Sequence, residues 1–409
     1  MSRKKKQIPD GGKTPFCPHF EKCGGCTYQR YDYDGQMLEK LRQVQDLMEE
    51  AYPGFPLTEV YGSPRQTGYR NKMEFSFGDE IKDGPLTLGL HQRGSFYNIV
   101  PITDCQIVDS DYRAIVWMTM QFCREKGLPY VHKRTHQGVL RHLLVRKSVS
   151  TGEIMVALVT SSEGCGMSGT DSAAAYQAPA WIREYTERLL VLDLYGHITG
   201  ILHIVNDSLA DVVQADHIEV LYGKEDISEK LLGLDFTITP FSFFQTNSTG
   251  AEVLYSVVRD FIGNTDGMTV FDLYSGTGTI AQILAPVSDH VIGVEIVEEA
   301  VEAARENASR NGLANCEFIA GDVLEVLDTL TDTPDVMVLD PPREGVHPKA
   351  LPKLLSYGVD RFVYVSCKPQ SLARDIVPIA EAGYKAEKAV CVDMFPWTKH
   401  IETVVLFHK

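Results

Sequence analysis

The carboxyl-terminal part of the chain contains short apolar runs that are continuous rather than alternating. Strands that are buried on both faces of a parallel sheet have this pattern. The runs predict strands at 269–273, 290–296, 316–319, 336–339 and 362–365. Amphipathic stretches between them predict helices at 277–285, 297–312, 323–330, 348–357 and 371–382. This alternation predicts an α/β, Rossmann-like doubly wound sheet over 241–409. Two last runs, 389–394 and 401–407, predict an antiparallel hairpin that closes the sheet.

The preceding part of the chain has a different pattern and predicts an α+β middle domain over 61–240. Its strands are predicted at 72–77, 86–90, 140–146, 154–160 and 201–205, and its helices at 110–126 and 180–190. A Ser/Gly/Ala-rich stretch at 161–178 indicates an insertion loop. One apolar face predicts a helix at 36–52 inside a connector, 29–60. Residues 1–28 combine a basic tail, disordered over 1–15, with a cysteine segment.

Composition is ordinary for a protein with a substantial core, with 44% hydrophobic and 23% charged residues. No apolar run approaches the length that spans a bilayer, and the first residues lack the hydrophobic stretch of a signal peptide. We therefore expect a cytoplasmic protein that uses neither a membrane nor disulfides.

Charge is distributed unevenly along the chain. Residues 1–150 carry 22 Lys and Arg against 17 Asp and Glu, whereas residues 151–409 carry 17 against 38. Between Arg124 and Lys147 there are seven basic residues and one acidic residue, Glu125. Such a stretch can hold a phosphate backbone, although a solvated charged surface explains it as well.

The cysteines are clustered near the start of the chain. Cys17, Cys23 and Cys26 lie in CPHFEKCGGC, and Cys105 follows in ITDCQIV. In a cytosolic chain this spacing indicates a metal site. Zinc is the more common occupant of four thiolates, and an iron–sulfur cluster accepts the same ligands.

Two polar clusters follow neighbouring predicted strands. The first contains Asp340 and Arg343, in DPPR, and the second contains Cys367 and Lys368, in SCKP. Ligands of open α/β sheets bind outside the carboxyl ends of the strands, so a carboxylate and a thiol should share one crevice. A lone cysteine is more often buried and inert, but Lys368 and the following helix start should favour a thiolate by lowering the thiol pKa from about 8.5.

The first predicted strand of the sheet ends in DLYSGTG, which contains Tyr274 and Gly276. Glycines let the backbone bend and approach a ligand, and Glu295 after the second strand can accept hydrogen bonds from ribose hydroxyls. The full GxGxxG fingerprint of dinucleotide sites is absent from this stretch, so S-adenosylmethionine fits better than a pyrophosphate cofactor. Asp322, after the third strand, would lie beside the adenine. Many glycine pairs merely turn a chain, but the order of strand, GxG, helix, strand and Glu favours a cofactor.

The motifs DLYSGTG, DPPR, VSCKP and HIE together resemble the RNA uracil-C5 methyltransferase family, which is of the class I, S-adenosylmethionine-dependent type. CPHFEKCGGC with Cys105 resembles the iron–sulfur site of the branch that methylates 23S ribosomal RNA. The resemblance covers nearly the whole chain. Amino-group methyltransferases share DPP but follow it with an aromatic residue, where this chain has Arg343. The larger ribosomal-RNA members also have an amino-terminal oligonucleotide-binding (TRAM) barrel, which this sequence is expected to lack because its first cluster cysteine is Cys17.

The resemblance implies a role for individual residues. Cys367 matches the nucleophile and Glu402 the base. The cofactor contacts that it implies are Gln245, Tyr274, Glu295 and Asp340, in addition to Gly276 and Asp322. Cys17, Cys23, Cys26 and Cys105 match the ligands of a [4Fe–4S] cluster that would brace the middle domain and shape the RNA surface.

These residue types suit the reaction. C5 of uracil is a poor nucleophile until a thiolate adds to C6, and a carboxylate must later remove the C5 proton. From the residues alone, Glu402 at the start of a strand is more simply a solvent-facing side chain. We expect a monomer that acts on a flipped-out uridine in an RNA loop. The alternatives are the same reaction on transfer RNA, an amino-methyltransferase disfavoured by Arg343, and an RNA-binding or assembly protein without catalysis.

Overall fold

The computed structural model describes residues 12–13, 16–165, 176, 178–210 and 214–409. The chain divides into two compact units. The first comprises Met1–Tyr31 as far as it is described, Gln66–Glu229 and Thr237–Phe241; the second comprises Asp32–Arg65, Lys230–Phe236 and Ser242–Lys409. Most of the predicted tail (1–15) and insertion loop (161–178) lies outside the described residues. The predicted connector (29–60) falls mostly within the second unit.

The first unit is built on a seven-stranded sheet with strand order β4-β3-β2-β5-β6-β7-β8. Its strands are Lys72–Asp79 (β2), Leu86–His91 (β3), Ile99–Pro101 (β4), Leu140–Lys147 (β5), Glu153–Thr160 (β6), His197–Val205 (β7) and His217–Gly223 (β8). Its helices are Ser110–Glu125 (α2) and Ala180–Leu190 (α3), with a short 3-10 turn at Ser162–Cys165. All neighbouring strands are antiparallel except β6 and β7. The α+β prediction for this region is therefore confirmed, and β4 and β8 are additional strands.

The second unit contains an eight-stranded sheet with strand order β1-β16-β17-β15-β14-β11-β12-β13. Its strands are Leu57–Tyr61 (β1), Thr265–Leu273 (β11), Ser288–Glu295 (β12), Cys316–Ala320 (β13), Val336–Leu339 (β14), Arg361–Ser366 (β15), Lys385–Val392 (β16) and Glu402–His408 (β17). A hairpin of Ile227–Leu231 (β9) and Leu234–Ile238 (β10) falls at the division of the chain.

The strands from β11 to β15 pair in parallel, as the continuous apolar runs predicted. Every side chain of β14 is buried, because helices cover both faces of a parallel sheet. Met337 and Phe362 are fully inaccessible, and each such side chain contributes about 1.5–3 kcal/mol of burial free energy. The helices of this unit are Tyr33–Ala51 (α1), Ser248–Ile262 (α4), Thr279–Leu284 (α5), Glu298–Arg310 (α6), Val323–Thr329 (α7), Ala350–Ser356 (α8) and Pro369–Glu381 (α9), with a 3-10 turn at Ala285–Val287.

The predicted antiparallel hairpin that closes the parallel strands is confirmed as β16 and β17, but one further strand, β1, lies beyond it. β17 inserts between β15 and β16 and is antiparallel to both, and β1 then pairs in parallel with β16. Because β17 runs against the parallel strands, its first residue lies at the edge where those strands end. Among the described residues, none of the helices combines the length and apolarity that crossing a bilayer requires.

Candidate active site

The strand pairing brings three predicted site residues to one edge of the sheet. Asp340 directly follows β14 and Cys367 directly follows β15, and these two strands are parallel neighbours. In the antiparallel pair of β15 and β17 the last register partners are Ser366 and Thr403. One step beyond that pair are Cys367 and Glu402, so a thiol and a carboxyl face the same crevice from adjacent strands.

Glu402 is buried, with 4% of its surface exposed, so its interpretation as a solvent-facing residue is wrong. Burial raises the pKa of its carboxyl to about 8, and the negative charge of Asp340 adds to this shift. The guanidinium of Arg343 acts in the opposite direction. Burial also raises the pKa of Asp340 to about 7. At neutral pH the crevice therefore holds carboxyl groups that can both bind and release a proton.

The expected lowering of the thiol pKa is wrong for the protein without ligands. Burial, followed by the charges of Glu402 and Asp340, raises the pKa of Cys367 to about 11. Arg343 opposes the shift. The sequence neighbour Lys368 instead occupies the N-cap position of α9 with an exposed side chain. The spatial neighbours of this thiol are carboxyl groups, which the local sequence does not reveal.

The loop after β11 has the backbone freedom that a ligand-binding turn needs. Tyr274, Gly276 and Gly278 all have positive φ angles, of 69°, 54° and 72°. At Gly276, a Cβ atom would meet no atom closer than Cδ1 of Phe243, at 4.0 Å. At Gly278, a Cβ atom would lie 2.5 Å from Cε1 of Phe318. Gly276 therefore leaves room for a ligand, whereas Gly278 permits close packing inside the protein.

Glu295 ties this loop to the next strand. Its carboxylate accepts hydrogen bonds from the backbone N–H of Gly276 and of Val297, both at 3.0 Å. Asp322 caps helix α7 by accepting from the N–H of Leu324 at 2.8 Å, and its side chain is exposed. Burial, followed by the charges of Asp322 and Asp375, raises the pKa of Tyr274 to about 12. Tyr274 and Asp322 thus lie near each other at the edge formed by β11, β12 and β13.

Two buried polar atoms in this region have no hydrogen-bond partner within the described chain: Oδ1 of Asp272 and Oγ of Ser275. The other carboxylate oxygen of Asp272 accepts from the N–H of Ala281 at 2.8 Å. Burial, followed by the charges of Asp340 and Glu295, raises the pKa of Asp272 to about 8. Orphaned buried polar atoms are rare in native structures and are often completed by a ligand. They fit a polar cofactor bound over the Gly276 loop.

Tyr255, in α4, lies among the same acidic groups and was missed by the sequence analysis. Its hydroxyl is hydrogen-bonded to the side chain of Gln245, which places that predicted cofactor contact beside the crevice. Burial raises the pKa of Tyr255, and the charges of Asp340, Asp272 and Glu402 add to the shift. A tyrosine on the apolar face of a helix is such an ordinary pattern that nothing in the sequence marks it.

The segment after Asp340 is fixed by helix α9 and neighbouring residues. The hydroxyl of Ser371 donates to the backbone carbonyl of Arg343 at 2.5 Å, and Oδ2 of Asp375 accepts from the N–H of Val346 at 2.9 Å. Tyr364 also donates to Asp375, at 2.7 Å. The side chain of Arg343 remains exposed at the crevice. It is therefore held at its backbone and available to a substrate at its guanidinium.

Helix α1 fixes the turn that leads into β17. The ammonium of Lys40 donates to Oδ1 of Asp393 at 2.7 Å and to the carbonyl of Phe395 at 3.2 Å. Oε1 of Gln36 accepts from the backbone N–H of Trp397, which has a φ of 68°. Gln36 and Lys40 are buried polar residues on the apolar face of an amphipathic helix. Polar residues on an otherwise apolar helix face are a sequence signal for buried polar contacts of this kind.

The four predicted metal ligands are brought together in the first unit. One cavity is lined by Cys17, Cys23, Cys26 and Cys105, and its apolar wall includes Phe20, Leu90, Ile102 and Ile107. Burial raises the pKa of Cys26 to about 12 and that of Cys105 to about 11, and the other cysteines of the group add to each shift. The described residues contain no group of three or more His, Cys, Asp or Glu side chains arranged around one metal ion position. The four thiols line one cavity, and thiolate sulfur is a ligand for both zinc and iron–sulfur clusters.

The predicted basic stretch does not form one surface. Arg146 is buried and donates to the carbonyl of Pro240 at 3.1 Å, and Lys147 is ion-paired with Asp109 and Asp111. Successive side chains of a strand point to opposite faces of the sheet, so basic residues that are neighbours along β5 do not share one surface. The charges that remain at the surface include Arg134 and half-buried Lys133, in the turn before β5.

Known proteins agree with this architecture. A family model described as a methyltransferase domain matches residues 264–371. An uncharacterized RNA methyltransferase of Clostridium tetani is 50% identical over 95% of this chain and 82% of its own length. A second one, of Clostridium acetobutylicum, is 46% identical over 98% of this chain and 85% of its own length. The crystal structure of the tRNA (uracil-54, C5)-methyltransferase of Pyrococcus abyssi with S-adenosyl-L-homocysteine is 30% identical, with a TM-score of 0.74 over 94% of this chain and 86% of that one.

The parallel sheet with its antiparallel β17 and the glycine loop after β11 define a class I, S-adenosylmethionine-dependent methyltransferase. The similarity to the clostridial proteins extends through both units and identifies the substrate as RNA. The chain belongs to the RNA methyltransferase family and is an enzyme.

Proposed function

We propose that the protein methylates C5 of a uridine in 23S ribosomal RNA through a covalent bond between Cys367 and C6 of the uracil. The observation that carries this proposal is the adjacency of Cys367 and Glu402 across β15 and β17. A thiol and a buried carboxyl at the cofactor edge supply the two groups that the reaction needs. Amino-group methylation needs neither of them.

Cys367, Glu402 and the methyl donor together account for every bond that forms and breaks in this reaction. The Cys367 thiolate forms a bond to C6, and the electrons of the C5=C6 double bond move onto the C4 carbonyl oxygen. Bound S-adenosylmethionine supplies an electrophilic methyl group on a positively charged sulfonium. The electrons held on the C4 oxygen return through C5 to form a bond to that methyl carbon, as the bond between the methyl carbon and sulfur breaks and leaves S-adenosylhomocysteine. C5 then carries both the new methyl group and a proton. Glu402 removes that proton, the C5=C6 bond re-forms, and the bond between C6 and the thiolate breaks. The exposed guanidinium of Arg343 can donate hydrogen bonds to the uracil carbonyl that receives charge.

The raised pKa values specify when this site becomes active. Without ligands, Cys367 and Glu402 are held mainly protonated at neutral pH, because burial and the nearby charge of Asp340 raise the pKa of both groups. A sulfonium beside them favours the ionised forms of both groups. The thiolate then forms when the methyl donor is present, which limits nonproductive addition to RNA.

The residues that would hold the cofactor are those of the β11–β13 edge. Glu295 would accept hydrogen bonds from the ribose hydroxyls, and Asp322 and Tyr274 would contact the adenine. Asp340, Gln245 and the unpartnered oxygen of Asp272 would bind the other polar groups of the cofactor. The open space at Gly276 and the orphaned Asp272 and Ser275 atoms support this assignment.

We further propose that Cys17, Cys23, Cys26 and Cys105 bind a [4Fe–4S] cluster. The shared cavity with its apolar wall supports this assignment, and zinc is the alternative. Protein purified without oxygen should contain about four iron and four sulfide per chain, with broad visible absorption. One zinc per chain without iron would overturn the assignment.

The main competing function is the same reaction on transfer RNA. It is favoured by the similarity to a solved tRNA (uracil-54, C5)-methyltransferase at 30% identity. The iron–sulfur assignment favours ribosomal RNA. Mapping 5-methyluridine in the ribosomal and transfer RNA of cells that lack the protein distinguishes the two functions, because the modification should be lost from one RNA class only.

The proposal also includes that the protein is a monomer in the cytoplasm. Size-exclusion chromatography tests the monomer, and cell fractionation tests the location.

The enzymatic test uses labelled S-adenosylmethionine with deproteinised ribosomal or transfer RNA. Wild-type protein should transfer label to C5 of uridine, and Cys367→Ala should transfer none. Glu402→Gln should methylate but remain attached to RNA in a denaturing gel, since the C5 proton stays in place. Label transfer by Cys367→Ala would exclude the covalent mechanism, and rapid turnover by Glu402→Gln would remove Glu402 from the role of base.

A further inference from the structure

Two adjacent aromatic side chains protrude from the loop between β3 and β4. Phe96 is 58% exposed and Tyr97 is 53% exposed. Two consecutive cations from the turn before β5 lie over these rings: Nζ of Lys133 is 4.0 Å from the Phe96 centroid, and Cζ of Arg134 is 5.3 Å from the Tyr97 centroid. The two rings meet edge to face at 5.7 Å. We call these four residues the aromatic-cation cluster.

The loop that carries the rings is ordered by its own hydrogen bonds. The N–H of Gln92 donates to the carbonyl of Asn98 at 2.9 Å, and the hydroxyl of Ser95 donates to Oδ1 of Asn98 at 2.6 Å. The ammonium of Lys133 donates to the carbonyl of Phe96 at 2.9 Å. The ring of Phe96 also stacks on the imidazole of His91, with centroids 5.8 Å apart. Phe96 and Tyr97 still keep more than half of their surface exposed, and large exposed rings on a well-anchored loop are typical of an interaction site.

The cysteine segment, at residues 22–26, is hydrogen-bonded to the start of the same loop. The N–H of Gly24 donates to the carbonyl of His91 at 3.1 Å, and the N–H of Arg93 donates to the carbonyl of Lys22 at 2.7 Å. The guanidinium of Arg93 also donates to the carbonyl of Cys26 at 2.5 Å. The backbone around the proposed cluster ligands thus holds the base of the loop that exposes Phe96 and Tyr97.

We propose that the aromatic-cation cluster binds single-stranded RNA by stacking neighbouring unpaired bases on Phe96 and Tyr97. Aromatic rings bind bases through their faces, and adjacent cations attract the phosphates that link those bases. This combination matches a nucleic-acid single strand better than an apolar protein surface, which has no use for the two cations. The inference rests on the RNA substrate of the proposed function, but not on which atom of that RNA is methylated.

The alternative explanation is that the two cation–π contacts only fasten the turn before β5 to the loop after β3. The two explanations differ in what the rings do when RNA is present. A fastening role predicts that removal of a ring lowers stability and leaves RNA affinity unchanged. A stacking role predicts the loss of affinity for unpaired bases in a protein that remains folded.

The test measures binding of the full chain, without methyl donor, to a fluorescein-labelled single-stranded oligouridine by fluorescence anisotropy. Phe96→Ala and Tyr97→Ala should each weaken binding roughly 10-fold, the usual loss for one stacked base. Tyr97→Phe keeps a ring and should bind like the wild type. Tyr195→Ala, in the same unit and 93% exposed, is the matched control and should also bind like the wild type.

Two further binding measurements complete the test: the salt dependence of a charge variant and the affinity for duplex RNA. Arg134→Gln should reduce the slope of log affinity against log salt by roughly 0.7, the value for one phosphate contact on a single strand. Duplex RNA, whose bases are already stacked on each other, should bind equally well to wild-type and Phe96→Ala protein. Unchanged oligouridine affinity in Phe96→Ala and Tyr97→Ala would overturn the proposal, as would an equal loss in Tyr195→Ala. Since no methyl transfer is measured, failure of the C5 methylation test would leave this result intact.

Discussion

The ammonium of Lys40 and the carboxylate of Asp393 form a buried ion pair of 2.7 Å, with 1% and 0% of their side chains exposed. Asp393 also accepts from the hydroxyl of Tyr33 at 3.0 Å, so helix α1 grips the end of β16 through two side chains. The turn that starts there leads directly to Glu402. A residue near the start of the unit therefore fixes the approach to the proposed base.

Replacing Lys40 by Met should destabilise the protein by about 3–5 kcal/mol, because it leaves the Asp393 charge buried without its partner. Methyl transfer should also fall, since the turn before Glu402 loses its anchor. Urea denaturation and the labelled transfer assay measure both effects. Arg42→Met is the matched control, since that side chain is 61% exposed on the same helix and its loss should change stability by less than about 0.5 kcal/mol. Equal urea midpoints for Lys40→Met and wild type would show that the pair does not support the unit.

Glu402→Gln should make Cys367 more reactive, but only in alkaline solution. The carboxyl of Glu402 has a pKa of about 8, so below that pH it is mostly neutral and its replacement changes no charge. Above pH 8 the wild-type carboxylate opposes thiolate formation, and the variant lacks it. The rate at which iodoacetamide alkylates Cys367 can be measured by mass spectrometry from pH 7 to 10. The rates of the variant and of the wild type should be equal at pH 7, and the variant should react several-fold faster above pH 8.

The control for this experiment is Glu387→Gln, which changes an exposed glutamate of β16. It should follow the wild-type curve throughout. If Glu402→Gln also follows that curve at pH 9 and above, the two groups do not interact.

Asp272→Asn should stabilise the protein increasingly as pH rises. The folded protein raises the pKa of this carboxyl from 3.8 to about 8, so folding binds its proton more tightly than the unfolded chain does. Wild-type stability from this group is therefore lost between pH 4 and 8, because the carboxyl ionises in the unfolded chain while the buried carboxyl of the folded protein still holds its proton. The difference in unfolding free energy should grow by about 3 kcal/mol over that range.

Urea midpoints at several pH values measure this difference. Asp289→Asn, which removes an exposed carboxyl group from the neighbouring strand β12, is the matched control. A constant difference for Asp272→Asn would mean that Asp272 is ionised throughout.

Gly276 and Gly278, in the loop after β11, should respond differently to replacement by alanine. Both have positive φ angles, which cost a non-glycine residue about 1–2 kcal/mol. In Gly278→Ala the new methyl group would also overlap Phe318, so the loss of stability should be several kcal/mol. In Gly276→Ala the new methyl group would lie 4.0 Å or more from every protein atom outside residues 275–277, so only the cost of the positive φ should lower the stability. The methyl group would occupy the space left for the ligand, so this variant should bind S-adenosylhomocysteine at least 10-fold more weakly.

Thermal unfolding and isothermal titration separate these two effects. Wild-type affinity for S-adenosylhomocysteine in folded Gly276→Ala protein would place the cofactor elsewhere.

The parallel strands were predictable because apolar residues on both faces leave a mark in the local sequence. β14 was predicted with its observed bounds, and β15 differs by one residue at each end. Strand β1 was missed, since its five residues are only partly buried and neither alternate nor form an apolar run. Its place is fixed by pairing with β16, which no local pattern encodes.

The electrostatics of the site could not be predicted from sequence neighbours. Lys368 adjoins Cys367 along the chain, yet Glu402 and Asp340 dominate the charge around the thiol. Their approach depends on the insertion of β17 beside β15. Likewise, Arg146 counted as part of a basic patch although its strand directs it into the interior. Such errors arise wherever tertiary contacts determine the surroundings of a charge.

The position of β17 also has a consequence during synthesis on the ribosome. This strand separates β15 from β16 in the finished sheet, although both precede it in the chain. Until β17 has emerged and inserted, the proposed nucleophile, Cys367, has been made but the proposed base, Glu402, is not yet in place. Under the proposed mechanism, a nascent chain would carry a thiol that can bond to RNA before it has the group that releases the RNA.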